Sequence, residues 1–162
     1  MNLLFDIRIL LLGLWLGAAC FFSFAVAPGV FAVLPSRELA GSVVNRTLAI
    51  INYSGMFIGL ILLASSYVSR QNINRIRLWL EQGTLLFFAA ACAFGQFVIA
   101  ARLHDLRASI GRPIDEVALD DPLRVAFDNL HAYSVTILSV AMITALVAFF
   151  LLVRRARNFN NL

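Results

Sequence analysis

The chain contains two histidines, His104 and His131, and each falls beside a long apolar run. Asp128 stands three residues before His131, so on a helix its carboxylate shares a face with that ring. A carboxylate in that position is what orients a metal-bound imidazole. His131 and His104 together offer a two-nitrogen metal site suited to copper, or axial ligands for a haem b held between helices. His131 alone offers a proton relay or a quinone contact. The plainer reading is an interfacial histidine in a hydrogen-bond network. No cofactor is therefore expected, and copper and haem b stand as the alternatives. Cys20 and Cys92 lie far apart with no second cysteine near either, so zinc spacing and CxxC chemistry are absent. They read as small buried apolar side chains, with soft-metal ligation beside Met56 or Met142 as the alternative. No phosphate loop, HExxH or GxSxG motif occurs, and the chain is not expected to be an enzyme. Asn52, Tyr53 and Gln96 complete the functional candidates. They are expected to face inward at membrane depth, as are Ser54, Ser134, Thr136, Ser139 and Thr144.

The elements that must position these residues are four runs without Asp, Glu, Lys or Arg: Ile9–Ser36, Thr47–Ser69, Gln82–Ala101 and Asn129–Val153. Crossing ~30 Å of hydrocarbon at ~1.5 Å per residue takes ~20 residues, and every run is that long. With 61% hydrophobic and 14% charged residues, and a mean hydropathy of +0.87, the chain departs from soluble composition in the same direction. The expected fold is an all-α four-transmembrane-helix bundle. It forms one integral membrane domain over 1–162, with spans near 9–34, 47–69, 82–101 and 129–153. An outer-face connection covers about 102–128.

All thirteen basic residues are arginines, a bias that points to GC-rich coding and a bacterial source. A pI near 9.8 would raise nucleic-acid binding in a soluble protein, but here the arginines flank the spans, so nucleic acid is not an expected partner. Arg70, Arg75 and Arg77, and then Arg154, Arg155 and Arg157, cluster beside the membrane on the side of both termini. By the positive-inside rule that side is cytoplasmic, and the expected location is the inner membrane, multi-pass. Ala25-Val26-Ala27 resembles a signal-peptidase site. Pro28 after the cut and the length of the apolar run argue against cleavage, so the first span is expected to stay.

Within the spans, Pro28-Gly29 is expected to kink or end the first helix. Ser36 is the expected N-cap of the second. The Leu39, Val43, Thr47 and Ile50 stripe makes Arg37–Arg46 an amphipathic lead into that helix. The third helix should continue through Arg102–Ser109 until Gly111 and Pro113 stop it. Asp121-Pro122 should start the fourth, running to about Val153. Gly13 and Gly17, Gly55 and Gly59, and Ala91 and Gly95 are small residues four apart, which permit close helix packing inside the bundle or on an oligomer face. Trp79, Tyr67 and Tyr133 fit an interfacial belt.

Trp15-Leu16-Gly17, Phe21-Phe22-Ser23, Val26-Ala27-Pro28, Phe31, Leu34 and Ala40-Gly41, with the later Phe127-x-x-Leu130-His131-x-x-Ser134, resemble the transmembrane protein 205-like family over roughly residues 9–150. The resemblance implies four spans and adds interest to Pro28, Tyr53 and His131. It implies no reaction, because that family is largely a domain of unknown function. The function expected is small-solute or metal-ion handling through a polar cavity opening outward near His131, Asp128, Tyr53 and Gln96. The alternatives are a non-catalytic accessory subunit of a larger membrane complex, or of a homo-oligomer, and a haem-binding electron carrier.

Overall fold

A computed structural model describes residues 3–68 and 75–160. Four helical spans run Leu3–Val33, Arg37–Tyr67, Arg75–Ile110 and Pro122–Arg157, each long and apolar enough to cross a membrane. No strand occurs among the described residues. The first span is built of α1 (Leu3–Phe21), a π turn (Phe22–Val26) and α2 (Ala27–Val33). The second is α3 (Arg37–Val68). The third joins α4 (Arg75–Phe94), a π turn (Gly95–Ala100) and α5 (Ala101–Ile110), and the fourth is α6 (Pro122–Asn160). Arg70 of the expected basic cluster lies outside the described residues.

Helix boundaries follow local chemistry. The Leu39 N–H donates to Ser36 Oγ at 3.2 Å, and the Leu123 N–H donates to Asp121 Oδ1 at 2.8 Å, so both expected caps form. Gly111 ends α5 with φ +65°, the left-handed geometry glycine adopts without penalty, and its N–H returns to the Arg107 carbonyl. Pro28 neither ends the first span nor starts a new one. The preceding turn widens to π geometry, in which the Ala27 N–H donates to the Phe22 carbonyl five residues back. That relieves the clash a proline ring makes with the carbonyl four residues earlier, and the helix continues to Val33. Helix α6 outruns the expected end at Val153 by a further seven residues, to Asn160, because arginine and asparagine do not break a helix that leaves the bilayer.

Each span packs against two others in a closed ring, one to two, two to three, three to four and four to one. Adjacent spans linked by a short connection are neighbours, as an up-down bundle requires. The core comprises Leu12, Trp15, Ala19 and Phe22 from the first span, with Val44, Ile51 and Leu62 from the second. The third adds Leu85, Phe88 and Cys92, and the fourth Leu138, Ala141, Ala145, Ala148 and Leu152. Trp15 is buried and donates its indole N–H to the Ile51 carbonyl at 2.9 Å.

Glycines set the closest approach. A Cβ on Gly55 would stand 2.7 Å from Cys92 Sγ and from Trp15 Nε1, and one on Gly59 would stand 2.9 Å from Ala89 Cβ. Gly13 faces Phe149, whereas Gly17 meets nothing within 4 Å. Of the two glycine pairs, Gly55 and Gly59 work as a unit in packing; in the other, only Gly13 does.

The structure fixes the facing of the α3 stripe and corrects one expected facing, that of Thr136. Leu39, Val43 and Ile50 point outward, and the inward stripe of α3 lies one residue on, at Ala40, Val44 and Ile51. In lipid an apolar stripe need not mark the core face, because the surroundings are apolar too. Thr136 also faces outward. Its hydroxyl is satisfied by the Ala132 carbonyl of its own helix at 2.9 Å, which removes any need for an interior partner.

Candidate functional site

Polar side chains collect at both ends of the bundle. At the end carrying the 111–121 connection, α3, the third span and α6 enclose a cavity of about 470 Å3. Its lining includes Asn45, Arg46 and Tyr53 from α3, Gln96, His104 and Arg107 from the third span, and Ser134 from α6. The volume lies within the ~300–1,000 Å3 typical of small-molecule sites. The π turn Gly95–Ala100 supplies Gln96 and Phe97 to the wall, and π turns recur at functional positions in helices. Tyr53 stacks edge-on against Phe97 at 5.9 Å between ring centroids. Gln96 Oε1 is buried and has no hydrogen-bond partner. Asn52 lies buried just behind, its amide against Gly95, where an added Cβ would come within 3.4 Å of it.

A second cavity of about 150 Å3 adjoins the first, sharing Asn45, Leu103 and Arg107. Arg37, Arg124, Asp128 and His131 line it. The Asp128 carboxylate is engaged by Arg124 Nε at 3.3 Å, one turn earlier on α6, rather than held only for the His131 ring. Arg124 also donates to the Ile114 and Val117 carbonyls, which pins the connection over this end. Arg37 pairs with Asp115 at 3.7 Å. The Arg107 guanidinium lies 5.5 Å over the Phe127 ring and against Gly41, whose missing side chain makes room for it. His104 and His131 therefore line different cavities, although their helices are neighbours. Both are exposed. No group of three or more His, Cys, Asp or Glu that would hold a metal occurs among the described residues. Cys20 and Met142 meet through their sulfurs at 3.9 Å, while Cys92 is packed in the core.

The opposite end, which bears the termini, holds a group that sequence reasoning treated only as topology-determining charge. Arg8 Nη2 donates to Glu81 Oε1 at 2.6 Å, and Arg155 Nη1 donates to both Glu81 oxygens at 2.9 and 2.8 Å. Arg8, Glu81 and Arg155 are 1%, 3% and 8% exposed. Arg8 Nη2 also reaches the Leu62 carbonyl at 3.2 Å, so the cluster binds all four spans in one register. The Phe5 ring lies 5.7 Å from the Arg8 guanidinium and 5.0 Å from that of Arg155. Two guanidiniums share one carboxylate, and Arg8 Nε and Nη1 have no hydrogen-bond partner. Gln82 donates to Ser66 Oγ at 3.2 Å beside the cluster. The signal was present in the chain: Glu81 is the only acid between Glu38 and Asp105, set at a span edge on the side of Arg8 and Arg155.

No curated protein and no solved structure matches the chain. A family model described as a domain of unknown function, DUF4149, matches residues 10–111, the stretch that runs from within the first span to the end of the third and holds Gln96 and His104. The chain is thus a multi-pass membrane protein and belongs to the DUF4149 family, a domain of unknown function.

Proposed function

We propose that the protein handles a small solute, taking it into the 470 Å3 cavity from outside the cell while the opposite end is closed by the Arg8–Glu81–Arg155 cluster. The observation that carries this reading is the asymmetry of the bundle. One end has a polar cavity with an unsatisfied Gln96 oxygen, and the other has its charges locked together at 2.6–2.9 Å. A protein that binds on one side and releases on the other has one end open and the other sealed in each state. On this reading the termini are cytoplasmic, the membrane is a bacterial inner membrane, and no chemical step is catalysed. The likeness to the transmembrane protein 205-like family belongs to the same reading. Its last-helix motif at Phe127–Ser134 lies beyond the matched 10–111. A metal cation fits the larger cavity poorly, because Arg46 and Arg107 are permanent cations and no Asp, Glu or Cys lines it.

Cysteine labelling tests the asymmetry. In a Cys20→Ser, Cys92→Ala background, a membrane-impermeant maleimide should label Ser134→Cys from outside. Ser66→Cys, at a position fully buried beside the cluster, should stay unlabelled until Glu81→Gln opens that end. Labelling of Ser66→Cys in the otherwise intact protein, or none at Ser134→Cys, overturns the reading.

A second reading, a subunit of a larger assembly, is favoured by a shallow groove on the third and fourth spans. Trp79, Gly83, Thr84, Phe87, Ile143 and Val147 line it, and the open glycine would admit another helix. Purification in a mild detergent would then bring down a stoichiometric partner.

A further inference from the structure

At the termini-bearing end, the shallow groove between the third and fourth spans opens onto arginine. Trp79, Gly83 and Phe87 follow one another at four-residue intervals along α4, and Ile143 and Val147 do the same along α6, around a volume of about 380 Å3. Continued toward the termini, the α6 stripe passes Phe150 and reaches Arg154. On α4 the groove face continues to Ile76, with Arg75 and Arg77 on its two flanks. All three arginines are exposed, and none has an ion pair among the described residues. The acids of this end do not answer them: Glu81 is held by Arg8 and Arg155, and Asp6 belongs to the first span, which does not line the groove. The positive-inside rule accounts for arginines on this side, but not for their place at the mouth of one groove.

The groove itself asks for hydrocarbon. Its two hydroxyls, on Thr84 and Thr144, each donate at 2.7 Å to a carbonyl of their own helix, Leu80 and Val140, so neither needs an outside partner. Gly83 has nothing within 4 Å of where a Cβ would stand, which leaves the floor open. Trp79, 74% exposed, stands at the mouth, where an indole meets lipid headgroups. From Trp79 to Phe87 the groove runs eight residues, about 12 Å at ~1.5 Å per residue, less than half of the ~30 Å hydrocarbon core. A partner helix would follow both spans through the whole core. A groove confined to one leaflet matches the acyl chain of a lipid.

We propose that this groove is a site for one anionic phospholipid from the leaflet at the termini-bearing end, with acyl chain against Gly83, Phe87, Ile143 and Val147 and phosphate among Arg75, Arg77 and Arg154. An anionic headgroup beside juxtamembrane arginines is held by charge, and each arginine adds to the hold. The proposal stands apart from the solute reading of the opposite cavity, and it sets a lipid where an assembly would set a partner helix.

For the test, the full-length protein is reconstituted in nanodiscs holding equal amounts of dioleoyl phosphatidylglycerol and dioleoyl phosphatidylcholine. It is then released into mild detergent, and native mass spectrometry scores the lipid it retains. One phosphatidylglycerol per protomer should stay, about tenfold or more in excess of phosphatidylcholine, since each arginine contributes roughly a fivefold step. Arg75→Gln, Arg77→Gln and Arg154→Gln combined should erase the preference with the melting temperature kept, because all three side chains are exposed. Gly83→Leu, which fills the floor, should release the lipid although every arginine remains. Arg102→Gln with Arg112→Gln, at the opposite end, should leave retention unchanged. Equal retention of the two lipids, a preference that survives the triple arginine variant, or one lost in the opposite-end variant overturns the proposal. So does a Gly83→Leu protein that keeps its lipid. A second polypeptide cross-linked through Gly83→Cys also overturns it, and gives the groove to an assembly.

Discussion

Replacing the Glu81 carboxylate with an amide would remove the charge that the two buried guanidiniums of Arg8 and Arg155 share. Breaking a buried ion cluster by removing one member typically costs about 3–5 kcal/mol, because the orphaned charge stays desolvated. Glu81→Gln should therefore lower stability by roughly that amount, measured by denaturant unfolding in mixed micelles. The triple replacement Arg8→Met, Glu81→Leu, Arg155→Met should recover most of the loss, since apolar residues of similar volume need no compensation. A single variant as stable as the triple one would show that the charges are not coupled. The same residues mark the limit of reading charge from sequence. Arg8 and Arg155 flank spans, where the positive-inside rule offers an account of them so complete that their burial goes unnoticed. Tyr53 and Gln96 were legible as candidates because polar groups are rare at that depth, and His104 because the chain has only two histidines. Arg46 and Arg107 were not, because an arginine just outside a span has an adequate explanation without a ligand.

Helices two and three come together over glycine. At Gly55 an added methyl group meets Cys92 Sγ and Trp15 Nε1 at 2.7 Å, and at Gly59 it meets Ala89 Cβ at 2.9 Å. Trp15 cannot easily retreat, being buried and hydrogen-bonded to Ile51. Gly55→Ala and Gly59→Ala should each destabilise by about 1–3 kcal/mol, the usual cost of overfilling a close-packed interior. Gly17→Ala, with open space around it, should be neutral or slightly stabilising through helix propensity. Thermal unfolding in detergent separates the two outcomes, and equal effects at Gly17 and Gly55 would contradict the packing. Spacing alone gave both glycine pairs the same standing, because which face of a helix meets a neighbour depends on tertiary packing. Caps were easier: Ser36, Gly111 and Asp121 act through bonds to their own local backbone, so their role is written in a few adjacent residues. The stripe at Leu39, Val43 and Ile50 left its facing open for the opposite reason, since a bilayer rewards apolar residues on either side of a helix.

For the molecule as a whole, the number of spans and their order followed from the uncharged runs, because the hydrocarbon thickness imposes a minimum length irrespective of side-chain detail. The charge distribution predicts the orientation: Arg75, Arg77, Arg154 and Arg157 beside the termini-bearing end should keep it in the cytoplasm. A C-terminal alkaline phosphatase fusion should be inactive, and a fusion after Arg112 in the connection active. The reverse pattern would turn the bundle over and place the larger cavity on the cytoplasmic side. The two polar ends were unequally visible in sequence, since a cavity is a property of three helices at once, and its wall includes residues such as Ala49, Ala100 and Ala101 that have no polar signature.

The π turn at Gly95–Ala100 gives the third span a mechanical property that its neighbour α3 lacks. A π turn holds one residue more than the α-helix needs, so it acts as a phase joint: deleting one residue there would restore an α-helix and leave the faces on either side nearly in register. Glu81 lies on one side of the joint, and His104 and Arg107 lie on the other. Change by insertion or deletion, which is ruinous in most packed helices, therefore has a place here to be absorbed. The cavity wall on one side and the charge cluster on the other would keep their facing.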